Sequence, residues 1–492
     1  MTAVTDVRSE SRMLVDGELV EADSGKRFDN INPATEQLLG QVADASTVEM
    51  RRAITAARRA FDTTDWSTNH AFRKLCLEQL QDALESEREE LREELILEVG
   101  CPRMVTSGPQ LDDPLESALR YPAKLIDEFP WESDLPDGMA MGVLNRRRVR
   151  KEPAGVVGAI VPWNFPFEVA LNKLGQILAT GNTVVLKPAP DTPWNATRIG
   201  RLVAERTDIP PGVVNVVTSS DHLVGEELTL SPQVDLISFT GSTTVGQRIM
   251  AKGAATLKRV FLELGGKSAT IVLDDADFPS ALMAGLGVCY HAGQGCAVQT
   301  RMLLPRSRYA EGVEVLKAAF AAVPYGDPQR PDVMMGPLIS AKQRARVLGY
   351  IEKGVAEGAT LALGGGRPEH LPAGWYVEPT LFIDVDNSMT IAQEEIFGPV
   401  LVVIPFDDDD DAVRIANESV YGLSGGVFSG SLERSFAVAR RVRTGGMCVN
   451  GGTPYGADLP FGGYKHSGIG RQNGTPGFEQ YLETKSLAWP KA

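Results

Sequence analysis

No apolar run in this chain is long enough to span a bilayer, and Met1–Arg12 is polar and mixed in charge. A membrane anchor or secretory leader is therefore not expected. Positive charge is in deficit: 49 lysines and arginines face 64 aspartates and glutamates, a formal net charge of −15. Such a chain repels nucleic acid and anionic lipid, so neither is an expected partner. Cysteine is scarce and odd in number: Cys76, Cys101, Cys289, Cys296 and Cys448. Their scatter gives no disulfide framework and no zinc-ligand spacing, and it suits a reducing cytoplasm. No internal repeat or low-complexity tract is present. No G-x-G-x-x-G follows a strand, and Gly265-Gly266-Lys267-Ser268 fails as a P-loop because Phe261 stands where its first glycine is required.

A chain of 492 residues is too long for one core, and two or three domains are expected. Short strands are expected within Met13–Val20 and Phe28–Val42, then helices over Val48–Phe61 and Ala71–Val99. The basic segment Gly142–Lys151 reads as an exposed strand or arm, and Gly477–Pro490 as an extended tail. From Gly155 to Leu264, strands (Val156–Val161, Thr183–Lys187, Val213–Val217, Val234–Phe239, Arg259–Leu264) alternate with helices. Ser268–Asn450 alternates again, with strands at Ala269–Leu273, Thr300–Leu304, Val400–Pro405 and Met447–Asn450. This pattern predicts an α/β protein with two parallel-sheet domains. Such sheets bind ligands beyond the carboxyl ends of their strands. Pro162-Trp163-Asn164, Lys187, Thr240-Gly241-Ser242 and Glu263 all fall there.

Cys296 lies in the glycine-flanked turn Gly293-Gln294-Gly295-Cys296, where the backbone is open to a ligand. The plain alternative, which suits Cys76, Cys289 and Cys448, is a buried structural thiol. An ordinary thiol is only a few per cent ionised at neutral pH, so a nucleophilic Cys296 needs backbone dipoles, a base or a cationic ring. Glu263 closes a strand and suits a general base, or else a solvated strand end. Asn164, between two aromatic residues and two prolines, suits an oxyanion donor or a turn residue. Ser242 begins a helix that can hold a pyrophosphate, or simply caps it. Lys187 alone reads as a solvated lysine. Glu394-Glu395 and Asp407–Asp411 make poor metal sites, and none is expected. His291 reads as a satisfied histidine rather than a partner of Cys296.

Together these strings resemble the aldehyde dehydrogenase superfamily. The resemblance runs from Asn32-Pro33-Ala34-Thr35 to Tyr481-Leu482-Glu483-Thr484-Lys485. It includes Pro162-Trp163-Asn164-Phe165-Pro166, Phe239-Thr240-Gly241-Ser242, Glu263-Leu264-Gly265-Gly266-Lys267, Glu395-Ile396-Phe397-Gly398-Pro399 and Pro460-Phe461-Gly462-Gly463-Tyr464-Lys465. It implies Rossmann-like cofactor-binding (1–131 and 152–264) and catalytic (265–463) domains. It further implies a small β oligomerisation arm with a C-terminal tail (132–151 and 464–492), through which the family forms dimers or tetramers. Cys296 would be the nucleophile, Asn164 and the Cys296 N–H the oxyanion hole, Glu263 the base and Lys173 part of a proton relay. Lys187 would bind the adenosine ribose, Ser242 the pyrophosphate, and Glu395 and Phe397 the nicotinamide riboside. Pro162, Trp163, Gly241 and Leu264 would complete the cofactor wall.

The implied reaction oxidises an aldehyde to its acid with NAD, through a thioester on Cys296. NADP stays open, because Pro190, followed by Asp191, stands where many NAD-preferring members carry a glutamate. Ala297 and Cys448 depart from common family residues and would reshape the aldehyde pocket. A nucleotide-independent thiol esterase and a CoA-acylating semialdehyde dehydrogenase are the alternatives. The first leaves the nucleotide elements unexplained, and Glu263 argues for water over CoA as acceptor.

Overall fold

The computed structural model describes residues 9–491. Two sheets carry the molecule. The first has eight strands in the order Gly468–Ile469, Arg259–Leu264, Leu236–Gly241, Val156–Ile160, Thr183–Lys187, Val214–Val216, Met13–Val15, Glu18–Val20. Its five middle strands are parallel, and the outer ones are antiparallel additions. The chain enters at Val156–Ile160, adds two strands on one side, then crosses to add Leu236–Gly241 and Arg259–Leu264 on the other. That reversal opens a crevice at the carboxyl ends of Val156–Ile160 and Leu236–Gly241.

The second sheet has seven strands: Thr360–Leu363, Thr380–Ile383, Val400–Phe406, Gln299–Pro305, Ser268–Val272, Gly425–Phe428 and Cys448–Val449. All its pairings are parallel except the first. The apolar strand faces explain both arrangements: Thr183–Lys187 and Ser268–Val272 are buried along their whole length, as parallel strands covered on two sides must be. The fold is the expected α/β pair of Rossmann-like sheets.

Several expectations need correction. Ala71–Val99 is two helices, His70–Ser86 and Arg88–Val99, broken at Glu87 (φ −114°, ψ 24°). The break lets the Glu87 carboxylate receive hydrogen bonds from Arg198 and Arg201. The strand Gly425–Phe428 was hidden by its glycines. A Cβ at Gly425 would lie 2.7 Å from the Met447 sulfur, and one at Gly426 2.7 Å from Gln299 Oε1, so the glycines serve close packing rather than a turn. Of the two readings of Gly142–Lys151 the strand holds and the free arm does not: Val143–Pro153 is the middle strand of a three-stranded sheet between Leu482–Pro490 and Glu132–Ala140. The unpaired edges belong to those two neighbours. The tail is not uniformly extended, since a short helix, Gly474–Glu479, precedes its strand.

Among the described residues no helix is long and apolar enough to cross a membrane. Nor does any group of three or more His, Cys, Asp or Glu there have the geometry to hold a metal ion.

Candidate active site

A cavity of about 1150 Å³ opens at the crevice and runs between the two sheets. Ten of the candidates, Pro162, Trp163, Asn164, Lys187, Gly241, Ser242, Glu263, Cys296, Glu395 and Phe397, come from six separate stretches and line it.

Glu263 comes from Arg259–Leu264 and sits in parallel register with Thr240. It is not the solvated strand end of the plain reading, being 3% exposed. Burial pushes its carboxyl up from the ordinary value, while Cys296 and Lys173 work the other way. Cys296 and Thr240 are close enough to perturb it, yet its Oε1 is buried without a hydrogen-bond partner of acceptable geometry. An acceptor oxygen in the cavity wall thus stays unengaged by protein.

Cys296 follows a turn that only glycine permits. Gly293 has φ +69°, and a Cβ there would lie 2.1 Å from the Gly398 carbonyl oxygen. Burial, then the Glu263 carboxylate, raise the thiol well above its ordinary pKa. The thiol is therefore neutral in the free protein, and a proton must leave before sulfur can attack.

Asn164 is fixed from both ends. Its Nδ2 donates to the Gln294 carbonyl at 2.9 Å, while its own carbonyl accepts from Gln110 Nε2 at 2.7 Å and His291 Nε2 at 3.0 Å. One side-chain N–H remains for a substrate oxygen. His291 is buried, and desolvation pushes it down to about 4, so it is a neutral clamp on Asn164 rather than a base for Cys296. Gln110 carried no signal in the sequence, because it reaches the site through the backbone carbonyl of Asn164, and Gln294 contributes its own carbonyl rather than its side chain. Substituting Asn164 by alanine is expected to lower kcat about 10²–10³-fold with little change in KM. Steady-state kinetics test this, and an unchanged kcat would remove Asn164 from the oxyanion hole.

Lys173 lies behind the wall, not on it. Its Nζ donates to Ser238 Oγ at 3.0 Å and sits over the Phe261 ring, and Ser238 Oγ meets the Tyr481 hydroxyl at 2.9 Å. Burial lowers its pKa, and the charge of Glu263 opposes that. Leu264 also departs from its assignment. It is absent from the cavity wall, and its side chain packs in the core where a Cβ on Gly246 would lie 2.7 Å from it.

The other arm of the cavity suits a nucleotide. Lys187 is buried, contrary to the solvated reading. It donates to the Pro188 carbonyl at 3.2 Å, and burial pushes it down to about 8. Ser242 does cap its helix, accepting from Val245 N at 3.4 Å, and it lines the cavity as well, so the two readings coexist. Glu395 accepts from Gly266 N at 3.1 Å, and its carboxyl would collide with any Cβ on Gly265 (2.2 Å). Phe397 holds φ +62° and meets the Trp163 ring edge-on at 5.3 Å. Ala297 is on the wall, but Cys448 is not. The Cys448 sulfur is half-buried and accepts from Gln299 Nε2 at 3.3 Å, so it cannot widen the pocket as expected.

Comparison with known proteins agrees with this arrangement. The family model described as Aldehyde dehydrogenase family matches residues 19–487. The chain is 42% identical over 484 residues to a 3-succinoylsemialdehyde-pyridine dehydrogenase of a Pseudomonas species, covering 98% of this chain and 99% of that protein. A Mycobacterium tuberculosis aldehyde dehydrogenase solved with NAD+ superposes with a TM-score of 0.93 at 40% identity over 98% of each chain. A Staphylococcus aureus betaine aldehyde dehydrogenase solved with NAD+ gives 0.94 at 35% identity, over 98% of this chain and 95% of that one. The chain belongs to the aldehyde dehydrogenase family.

Proposed function

We propose that this aldehyde dehydrogenase works by covalent capture of its substrate on Cys296, with NAD as oxidant and water as the final acceptor. One observation carries the reading: the thiol, the Asn164 amide and the Glu263 carboxyl line one cavity together with the nucleotide elements. The dinucleotide fits the residues present. A helix N-terminus at Ser242 and the side chains of Lys187, Arg248, Lys252 and Arg346 offer donors and positive charge to phosphates, and Glu395 offers an acceptor for ribose hydroxyls. Bound NAD would supply the hydride acceptor.

The remaining steps belong to the chain. Glu263 takes the thiol proton, and Sγ of Cys296 adds to the aldehyde carbon. The Asn164 amide and the Cys296 N–H hold the oxygen as it becomes negative. Loss of hydride from carbon leaves a thioester on Cys296. Once Glu263 has released the thiol proton to solvent, it draws a proton from water, whose oxygen displaces sulfur and releases the acid. Lys173, paired electrostatically with Glu263, helps return that carboxyl to its charged form.

A thiol esterase without nucleotide would leave the basic arm and Glu395 without a purpose. NADH formation over an aldehyde panel tests the proposal, and ester hydrolysis with no nucleotide-dependent oxidation would contradict it. In the same assay NAD is expected to exceed NADP about tenfold or more in kcat/KM. Asp191 lies on the wall near Lys187, where its carboxylate would repel a 2'-phosphate despite Pro190. Equal rates with both nucleotides would refute this.

The same reading assigns 1–131 and 152–264 to the cofactor domain, 265–463 to the catalytic domain and 132–151 with 464–492 to the arm and tail. Residues 1–8 lie outside the described residues. It also places the enzyme in the cytoplasm as a homodimer or homotetramer. The open edges of Glu132–Ala140 and Leu482–Pro490 support association, since unpaired edge strands invite partners. Light scattering is expected to give two or four chains, and a monomer would refute it.

A further inference from the structure

The cavity has two chemically different ends. Its basic lining residues, such as Lys187, Arg248, Lys252 and Arg346, belong to the nucleotide arm. The far side of Cys296 is walled by Pro109, Phe165, Val169, Phe461 and three polar side chains: Glu168, Tyr455 and Gln472. None of these residues is basic. A carboxylate-tailed aldehyde would find no cation there to pair with.

Glu168 sits in the first turn of the helix Pro166–Ala179 and is 7% exposed. The Tyr455 hydroxyl donates to its Oε1, and Asn172 Nδ2, one helical turn on, donates to that hydroxyl at 3.2 Å. This chain fixes the carboxyl in place. Its Oε2 has no hydrogen-bond partner among the described residues. Gln472 offers a second such acceptor: it is 3% exposed, and its Oε1 is buried without a partner. Its backbone is pinned by two 2.7 Å bonds with Phe461, so the side chain is held at the wall. A carboxyl with one oxygen unengaged and a Gln472 Oε1 buried without a partner make this otherwise apolar wall an incomplete polar site, since an unpartnered buried acceptor costs free energy.

Resting on the reading of this cavity as the aldehyde site, we propose that Glu168 and Gln472, with Tyr455 as brace, recognise the tail of the substrate and select short aldehydes bearing an amine or ammonium group over those with apolar or anionic tails. An ammonium donates to the Glu168 carboxylate beside the Gln472 amide and supplies the positive charge that the wall lacks. The state of Glu168 agrees. Burial, then the neighbouring Glu263 and Asp113, push it up to about 8 against the lowering effect of the Tyr455 hydrogen bond, so the free carboxyl resists carrying its charge alone. A cationic tail relieves that cost by pairing with the carboxylate. Glu168 is also near enough to the Cys296 thiol to perturb it electrostatically.

The test compares kcat/KM of the full-length enzyme with NAD for 3-aminopropanal, for butanal (the apolar match in size) and for 4-oxobutanoate. The amine substrate is expected to exceed butanal about tenfold or more, with 4-oxobutanoate weakest. Glu168→Gln keeps the shape and an acceptor for Tyr455 but cannot hold charge. It should bring the amine-to-butanal ratio towards one, chiefly through KM for the amine, and Glu168→Leu should do so more fully. A merely structural Glu168 would instead lower both substrates by the same factor. That result, or a wild type preferring butanal or 4-oxobutanoate, overturns the proposal. Oxidation of none of these or other aldehydes would instead sink the underlying reading of the site.

Discussion

Cys296→Ala is expected to abolish NADH formation from every aldehyde, a loss on the order of 10⁴-fold or more. No other sulfur can take its place. Cys76, Cys101 and Cys289 are buried, and the Cys448 sulfur is engaged by Gln299 and lies off the cavity wall. The loss is chemical rather than structural, because the side chain lies on a cavity wall and the Gly293 turn that presents it is unchanged. NAD binding, followed by thermal shift, should therefore survive in the variant. Residual aldehyde oxidation within about tenfold of wild type would mean that hydride leaves a non-covalent hydrate.

The second large effect separates acylation from hydrolysis. Glu263→Gln keeps the shape of the side chain but cannot accept a proton. Two consequences oppose each other at Cys296. The thiol loses its nearest proton acceptor, yet it also loses a negative charge that holds its pKa up. Acylation should slow but continue. Hydrolysis has no such compensation, because water then lacks a base, a loss of about 10²–10⁴-fold. Stopped-flow absorbance is expected to show a burst of NADH equal to the enzyme present, followed by near arrest. Steady turnover at the normal rate would remove Glu263 from its role.

Much of this site was legible because strand ends can be read from hydrophobic runs. Arg259–Leu264 and Thr183–Lys187 have the expected boundaries, and Glu263 and Lys187 follow from them. Asn164 and Gly241-Ser242 follow from the same logic at the two strands that flank the crevice. Sidedness and burial were not legible. Lys187 and Glu263 carry charges that alone suggest solvent, and only tertiary packing encloses them: Lys187 lies against Gly225 and Pro188, Glu263 against Cys296. Leu264 alternates to the opposite face from Glu263, so a residue adjacent in sequence turns into the core. Gln110 and His291 act through the remote Asn164 carbonyl, and Gln294 offers its own carbonyl to the Asn164 amide, information that resides in tertiary contacts rather than in local pattern. Glu168 was unreadable for a related reason: a glutamate near the start of an apolar helix looks like an ordinary favourable charge at a helix N-terminus. Only the approach of Tyr455, 287 residues away in sequence, marks it out.

The most direct examination of the account is peptide mass spectrometry of Glu263→Gln after mixing with NAD and an aldehyde and quenching in acid. The prediction is the acyl mass of that aldehyde on the peptide containing Cys296, in amount equal to the NADH burst. NADH formed with Cys296 unmodified, or with the acyl group on a different residue, would contradict the claim that this sulfur, the Asn164 amide and the Glu263 carboxyl act on one carbonyl carbon.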